Sequence, residues 1–195
     1  MNKNYEKELP EGYREAFTVD AKAKKTVVLM SIASVVFTAL PLAAVLLIIR
    51  PTGFFENYSL ARNLIFLASL FAYIVLHELV HGLAYKLMTK QKLTFGLTLT
   101  VAYCGMPDIY TYRRTALISL LAPFTVFSIL FIALMLLFKD QWDKVYAGLL
   151  FAVHFGGCVG DLYDTLLYLT KFRDPRTLMR DTGPKQTFYL PGKED

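Results

Sequence analysis

Cysteine is scarce: the 195 residues hold two, Cys104 and Cys158, and no CxxC pair. Two such thiols make no disulfide framework, which excludes a small cystine-stapled fold. There is no internal repeat, no low-complexity tract and no nucleic-acid-binding motif. The formal net charge of +5, from 21 Lys and Arg against 16 Asp and Glu, therefore points to membrane orientation and anionic lipid, and no nucleic-acid partner is expected. A short apolar run close behind Met1 is missing too. The first 25 residues are polar, with Glu6, Glu8, Glu11, Glu15 and Asp20 among them, so no cleavable signal peptide is expected.

What the chain has in excess is apolar surface, at 55% of its residues. The excess lies in four long runs, residues 26–49, 63–88, 115–138 and 145–169. Each exceeds 20 residues, enough at about 1.5 Å per residue to span about 30 Å of hydrocarbon. The expected fold class is an α-helical membrane protein of four transmembrane helices, with Pro41 as a kink in the first. Three domains follow: an N-terminal segment 1–25, a transmembrane body 26–170 and a C-terminal tail 171–195. That tail, with Pro175, Gly183, Pro184, Pro191 and Gly192, reads as extended and weakly structured. Lys and Arg number six, two, five, two and six in the five segments between and around the runs, with Lys86, at the end of the second run, counted in the second connection. The positive-inside rule then puts both termini and the second connection in the cytoplasm of a multi-pass cell-membrane protein. Trp142 and Tyr146 fit an interfacial belt near the third loop.

One connection carries a strand signal. From Leu93 to Tyr103 the odd positions are apolar or aromatic, and the even ones are Thr94, Gly96, Thr98, Thr100 and Ala102. Gly105-Met106-Pro107-Asp108 is a turn signal, with Ile109 to Tyr112 as a return strand. A short β-hairpin between the second and third helices is expected, at the cytoplasmic face.

The chemistry sits in the second run, as His77-Glu78-Leu79-Val80-His81. Histidines four apart share one helix face, one turn apart, so two imidazoles can reach one zinc ion. Glu78 lies one step round the helix, where it can take a proton from a zinc-activated water without ligating the metal. These groups stand among Phe71, Ile74, Val75, Leu76, Leu79, Val80 and Leu83. Ionisable groups inside a span cost several kcal/mol unless paired or ligated, which argues against a chance match.

Two histidines leave a third ligand to be found. The fourth run offers His154, Cys158, Asp161 and Asp164, the first three on one helix face. Gly156, Gly157 and Gly160 thin that helix for close approach to the metal helix, and Asp161 adjoins them, so Asp161 is the expected ligand. Asp164, one turn on, reads as a carboxylate outside the metal set. His154 reads as an oxyanion or substrate-backbone donor. Cys158 and Cys104 read as small buried fillers.

The helix-borne His77 to Gly82, the β segment after it, Leu121-Ala122-Pro123-Phe124 and the glycine-rich Gly160-Asp161 helix resemble bacterial membrane proteins grouped as putative zincin peptidases. The likeness extends to Pro10-Glu11-Gly12-Tyr13. More distantly the three helices from Asn63 to Leu169 resemble site-2 proteases, without their Asn-x-x-Pro or Leu-Asp-Gly. The resemblance implies Zn2+ held by His77, His81 and Asp161, with Glu78 as base. The expected activity is hydrolysis of a peptide bond in a membrane protein or peptide near the cytoplasmic face, by an enzyme embedded in the lipid bilayer. A zinc-binding regulator without proteolytic activity and a zinc hydrolase of a lipid-like substrate are the alternatives.

Overall fold

The computed structural model of the chain describes residues 3–53, 56–97 and 102–192. Its helices are α1 (Lys24–Ile49), α2 (Leu60–Thr89), α3 (Arg113–Leu137), α4 (Gln141–Gly157) and α5 (Val159–Thr170). Three of them, α1, α2 and α3, are long and apolar enough to cross a membrane. A fourth span results if α4 and α5, bent by 48° at their break, count as one. Their outward faces are inverted relative to a water-soluble protein. Leu47, Ile48, Leu136 and Leu137 are 72%, 81%, 78% and 76% exposed. Such surface is stable against hydrocarbon, not against water.

The fourth apolar run does not form the single helix expected over 145–169. Cys158 stands between α4 and α5, its N–H closing the last turn of α4 on the His154 carbonyl at 3.0 Å. Apolar residues continue through the break, so hydropathy could not reveal it. Asp140 caps the start of α4, its carboxylate accepting from the N–H groups of Trp142 and Asp143.

By internal packing the chain divides into two units. One comprises Met30–His77 and Phe124–Gly160. Within it, Gly148 lies against Val45, and Gly156 against Thr38 and the Ser34 carbonyl. Ser34 donates to the Gly156 carbonyl at 2.8 Å. These glycines let α4 approach α1, the small-residue device of membrane helix pairs. That corrects the expectation that the glycine patch serves the metal helix: of the three glycines, only Gly157 lies near α2, 3.3 Å from Tyr73 Oη for an added Cβ, and Gly160 faces open space. Arg62 bridges Asp140 and Asp143 at 3.2 Å each, and Tyr146 donates to Asn63 at 2.6 Å.

The other unit comprises Met1–Leu29, Glu78–Pro123 and Asp161–Asp195. It holds β1 (Tyr5–Glu6), β2 (Tyr13–Asp20), β5 (Tyr110–Tyr112), β6 (Leu178–Asp181) and β7 (Lys185–Pro191), all antiparallel, in the order β1-β5-β6-β7-β2. Two further strands, β3 (Thr94–Leu97) and β4 (Ala102–Gly105), pair with each other. The tail expected to be weakly structured is thus two strands of a sheet. Its Met179 and Phe188 are wholly buried in one core with Ala116, Leu120, Tyr168 and Phe172. A register shift between Glu15 and Phe17 turns both Ala16 and Phe17 onto that core. The β6–β7 turn needs Gly183, whose φ is +92°.

The strand segment is also corrected. The period-two run folds back on itself, Thr94 opposite Gly105 and Leu97 opposite Ala102, with residues 98–101 between them in sequence. Those residues lie outside the described ones. Residues 105–108 do not turn one hairpin. They lead into β5, which joins the large sheet between β1 and β6.

Candidate metal centre

Helix α2 is polar where it is buried. Besides Gly82, its buried residues are Tyr73, His77, His81, Tyr85 and Thr89, each four after the last. Four residues exceed one helical turn only slightly, so these form a single slowly winding stripe. The outward positions between them, Phe71, Ile74, Leu76, Leu79, Leu83 and Leu87, are apolar and exposed. His77 and His81 therefore lie on one unbroken helix, one turn apart on its inner face.

His81 is fixed from both sides of its ring. Nδ1–H donates to the Ser119 carbonyl at 2.9 Å, and Ser119 Oγ donates back to the His81 carbonyl at 3.2 Å. A carbonyl only accepts, so the proton of the neutral ring is on Nδ1 and the lone pair on Nε2. Nε2 lies 3.4 Å from Asp161 Oδ1. Anchoring through Nδ1 on a carbonyl is how a metal-ligating histidine is held, and here a carboxylate stands beside the remaining nitrogen. The structure brings Asp161 to His81, next to the start of α5.

His77 is anchored through a longer chain. Its Nδ1 is 3.2 Å from Tyr73 Oη, and the same oxygen is 3.1 Å from His154 Nδ1. His154 Nε2 faces the Phe124 carbonyl and Ser128 Oγ, both at 3.2 Å. The proton positions follow. The Phe124 carbonyl requires N–H at His154 Nε2, so His154 Nδ1 accepts from Tyr73, and Tyr73 in turn accepts from His77 Nδ1–H. That leaves the lone pair of His77 on Nε2, as in His81. Cys158 Sγ adds a contact of 3.4 Å to His154 Nδ1. His154 is completely buried, its ring stacked on Phe124 with centroids 5.7 Å apart. Ligand atoms of His77, His154 and Cys158 lie within 4.8 Å of one another.

Glu78 follows His77 on α2 and is half-buried. Asp164, one turn beyond Asp161, is 3% exposed, and its Oδ1 has no hydrogen-bond partner. A second buried acid, unsuspected from sequence, is Asp181 on β6. It accepts from Tyr85 Oη at 3.0 Å, Gly183 N–H at 2.8 Å and Gln186 at 3.3 Å. Burial pushes its carboxyl up to about 6, with these hydrogen bonds and the charge of His81 pulling the other way. Cys104 on β4 is pushed up to about 12 by burial, with Asp181 and Glu78 adding to the shift, which keeps it an inert thiol. Sequence reasoning also missed Tyr73 and Ser119. The four-residue repeat from Tyr73 through His77 and His81 to Tyr85 was the available signal for Tyr73. A backbone acceptor such as the Ser119 carbonyl leaves none.

The donor chemistry suits zinc: imidazole nitrogens with fixed lone pairs and a carboxylate, their outer partners in place. No curated protein and no solved structure matches the chain. A family model described as "putative zincin peptidase" matches residues 70–175, more than half of the sequence, from the turn before Tyr73 past the end of α5. The chain belongs to that zincin peptidase family, and zinc is the cofactor that membership brings.

Proposed function

We propose that the protein is a membrane-embedded zinc metallopeptidase of the His-Glu-x-x-His type, cleaving a membrane protein or peptide near the cytoplasmic face. In this reading His77, His81 and Asp161 hold the metal. The observation that carries it is the His81 ring, with Nδ1 committed to the Ser119 carbonyl and Nε2 left at Asp161.

Bound zinc supplies Lewis acidity, polarising a carbonyl and bringing the pKa of a water toward neutrality. The chain's own residues do the rest. Ser119 and Tyr73 hold the two imidazoles in the tautomer that presents Nε2. Asp161 balances part of the metal charge in a site of low dielectric. The Glu78 carboxylate takes a proton from the attacking water and returns it to the leaving nitrogen. An oxyanion role for His154 requires it to give up its Phe124 or Ser128 contact. Strand β3, paired among the described residues only with β4, offers an edge on which an unwound substrate segment can be held extended. The bilayer is the medium, with four spans, both termini cytoplasmic and no nucleic-acid partner. Glu78 favours chemistry over mere binding, because a metal site without turnover needs no base.

The test is incubation of the purified, zinc-loaded protein with candidate membrane peptides, read by mass spectrometry against Glu78→Gln. Cleavage by the wild type that Glu78→Gln abolishes at unchanged zinc content is expected. Cleavage of lipid but not peptide favours the hydrolase of an amphiphile, and zinc without turnover the regulator. Asp161→Ala should lose zinc while Asp164→Ala keeps it. The reverse pattern would displace Asp161 from the metal set.

A further inference from the structure

A basic cavity opens where α5 ends, away from the metal centre. It measures about 380 Å³, and its charged lining is Lys171, Arg173, Asp174 and Arg176. Leu190 and Pro191 of β7 form an apolar wall. Lys171 directly follows Thr170, the last residue of α5.

Two of the cations, Lys171 and Arg173, are held in place by partners that do not neutralise them. Lys171 Nζ sits 4.4 Å from the centroid of the Phe17 ring and 5.3 Å from that of Phe172. Arg173 donates from Nε to the Leu169 carbonyl at 2.9 Å, closing the last turn of α5 and leaving its other N–H groups unspent. Among the described residues neither has a carboxylate partner. Arg176 is paired with Asp174 at 3.1 Å. Three cations thus face one anion around a cavity, and ring faces and a backbone carbonyl fix two of them beforehand. Pre-set, uncompensated guanidinium and ammonium groups suit a phosphate diester.

We propose that this cavity binds the headgroup of an anionic phospholipid. The phosphate lies against Lys171, Arg173 and Arg176, and the glycerol and first methylenes lie along Leu190 and Pro191. Two features select a lipid over free phosphate. The cavity adjoins the end of an apolar helix pair, where headgroups are concentrated, and its apolar wall has no use for an inorganic anion. The bound lipid ties the Leu190–Pro191 end of β7 to the membrane surface. The site does not depend on the zinc-peptidase reading.

The test uses the full chain in neutral detergent, mixed with phosphatidylglycerol or phosphatidylcholine of matched acyl chains, retained lipid being counted by native mass spectrometry. One phosphatidylglycerol per chain should be retained in preference to phosphatidylcholine. Each lost charge near an anionic surface weakens binding about fivefold, so Lys171→Gln should lose about that factor and Lys171→Gln with Arg173→Gln about 25-fold. Arg173→Lys, which keeps the charge, should stay within about twofold of wild type. If the double variant does not fold, the contrast between Lys171→Gln and Arg173→Lys carries the test. Equal retention of the two lipids, or an undiminished preference in Lys171→Gln, overturns the proposal. Displacement of phosphatidylglycerol by millimolar sodium phosphate overturns it in favour of a small-anion site, and resistance to displacement supports it.

Discussion

Tyr73 has one hydroxyl and two imidazoles to serve. Removing that hydroxyl takes away the oxygen that His77 Nδ1–H meets at 3.2 Å and loosens the hold on its tautomer. Tyr73→Phe should therefore weaken zinc binding, by about 10–100-fold for loss of an outer partner, in competition with a chelator. His154→Ala, acting through Tyr73, should weaken zinc to a similar degree. Were His154 an oxyanion donor, turnover alone would fall, by about 10²–10³, at unchanged affinity. Asp181 gives a pH signature. Its carboxyl, near 4 in an unfolded chain, is pushed up to about 6 in the fold. The folded state then binds the proton more tightly, so Asp181 stabilises the fold most below about pH 4 and loses that contribution as pH rises through 6. The folded-to-unfolded ratio should fall by up to about a hundredfold across this window. Melting curves in detergent between pH 4 and 7.5 should show a slope that Asp181→Asn flattens. An equal slope in both proteins would remove Asp181 as the cause. Of the candidate site, the groups with a spacing rule were legible in the sequence: two histidines one turn apart, the glutamate beside them, and a carboxylate on the last helix. Ser119 was not, because it acts through a carbonyl that every residue carries.

Elements differ in how openly the sequence declares them. Apolar runs longer than a bilayer is thick identify α1, α2 and α3 within a few residues, since no other structure satisfies that much buried backbone in hydrocarbon. The sheet is hidden for the opposite reason. Its strands run from two to eight residues and pair across almost the whole chain, Tyr13 with Pro191, so no local window contains both partners. The turn at 105–108 misled because Gly-Met-Pro-Asp has turn chemistry, but a turn signal says nothing about which strands it joins. Glycines, too, reveal crowding without naming the neighbour. A side chain at Gly156 would strike Thr38 and the Ser34 carbonyl, whereas one at Gly160 meets nothing. Gly156→Val should cost about 1–3 kcal/mol, or about 5–10 °C in the thermal midpoint. Gly160→Ala should be neutral or slightly stabilising, as expected of an exposed helix position. Equal midpoints for the two variants would contradict the α1–α4 packing.

At the scale of the molecule, the alternation of basic residues between segments predicts an orientation that apolar helices alone leave open. Reporter fusions at Glu56 and Asp140 should read outside, and fusions at Lys92 and Asp195 inside. An odd number of crossings, or a C-terminus outside, would refute the four-span arrangement and leave α4 and α5 as a re-entrant pair.

Strand β2 is made early, and its one partner among the described residues, β7, is made much later. Between Asp20 and Lys185 the ribosome must add the greater part of the chain, which at about 5–20 residues per second takes roughly 10–30 s. Through that interval β2 carries Phe17 and Val19 with no strand beside it, while helices destined for the bilayer are being inserted. The newborn chain is thus a set of apolar helices with an open, adhesive strand edge, and its maturation is timed by the synthesis of β7.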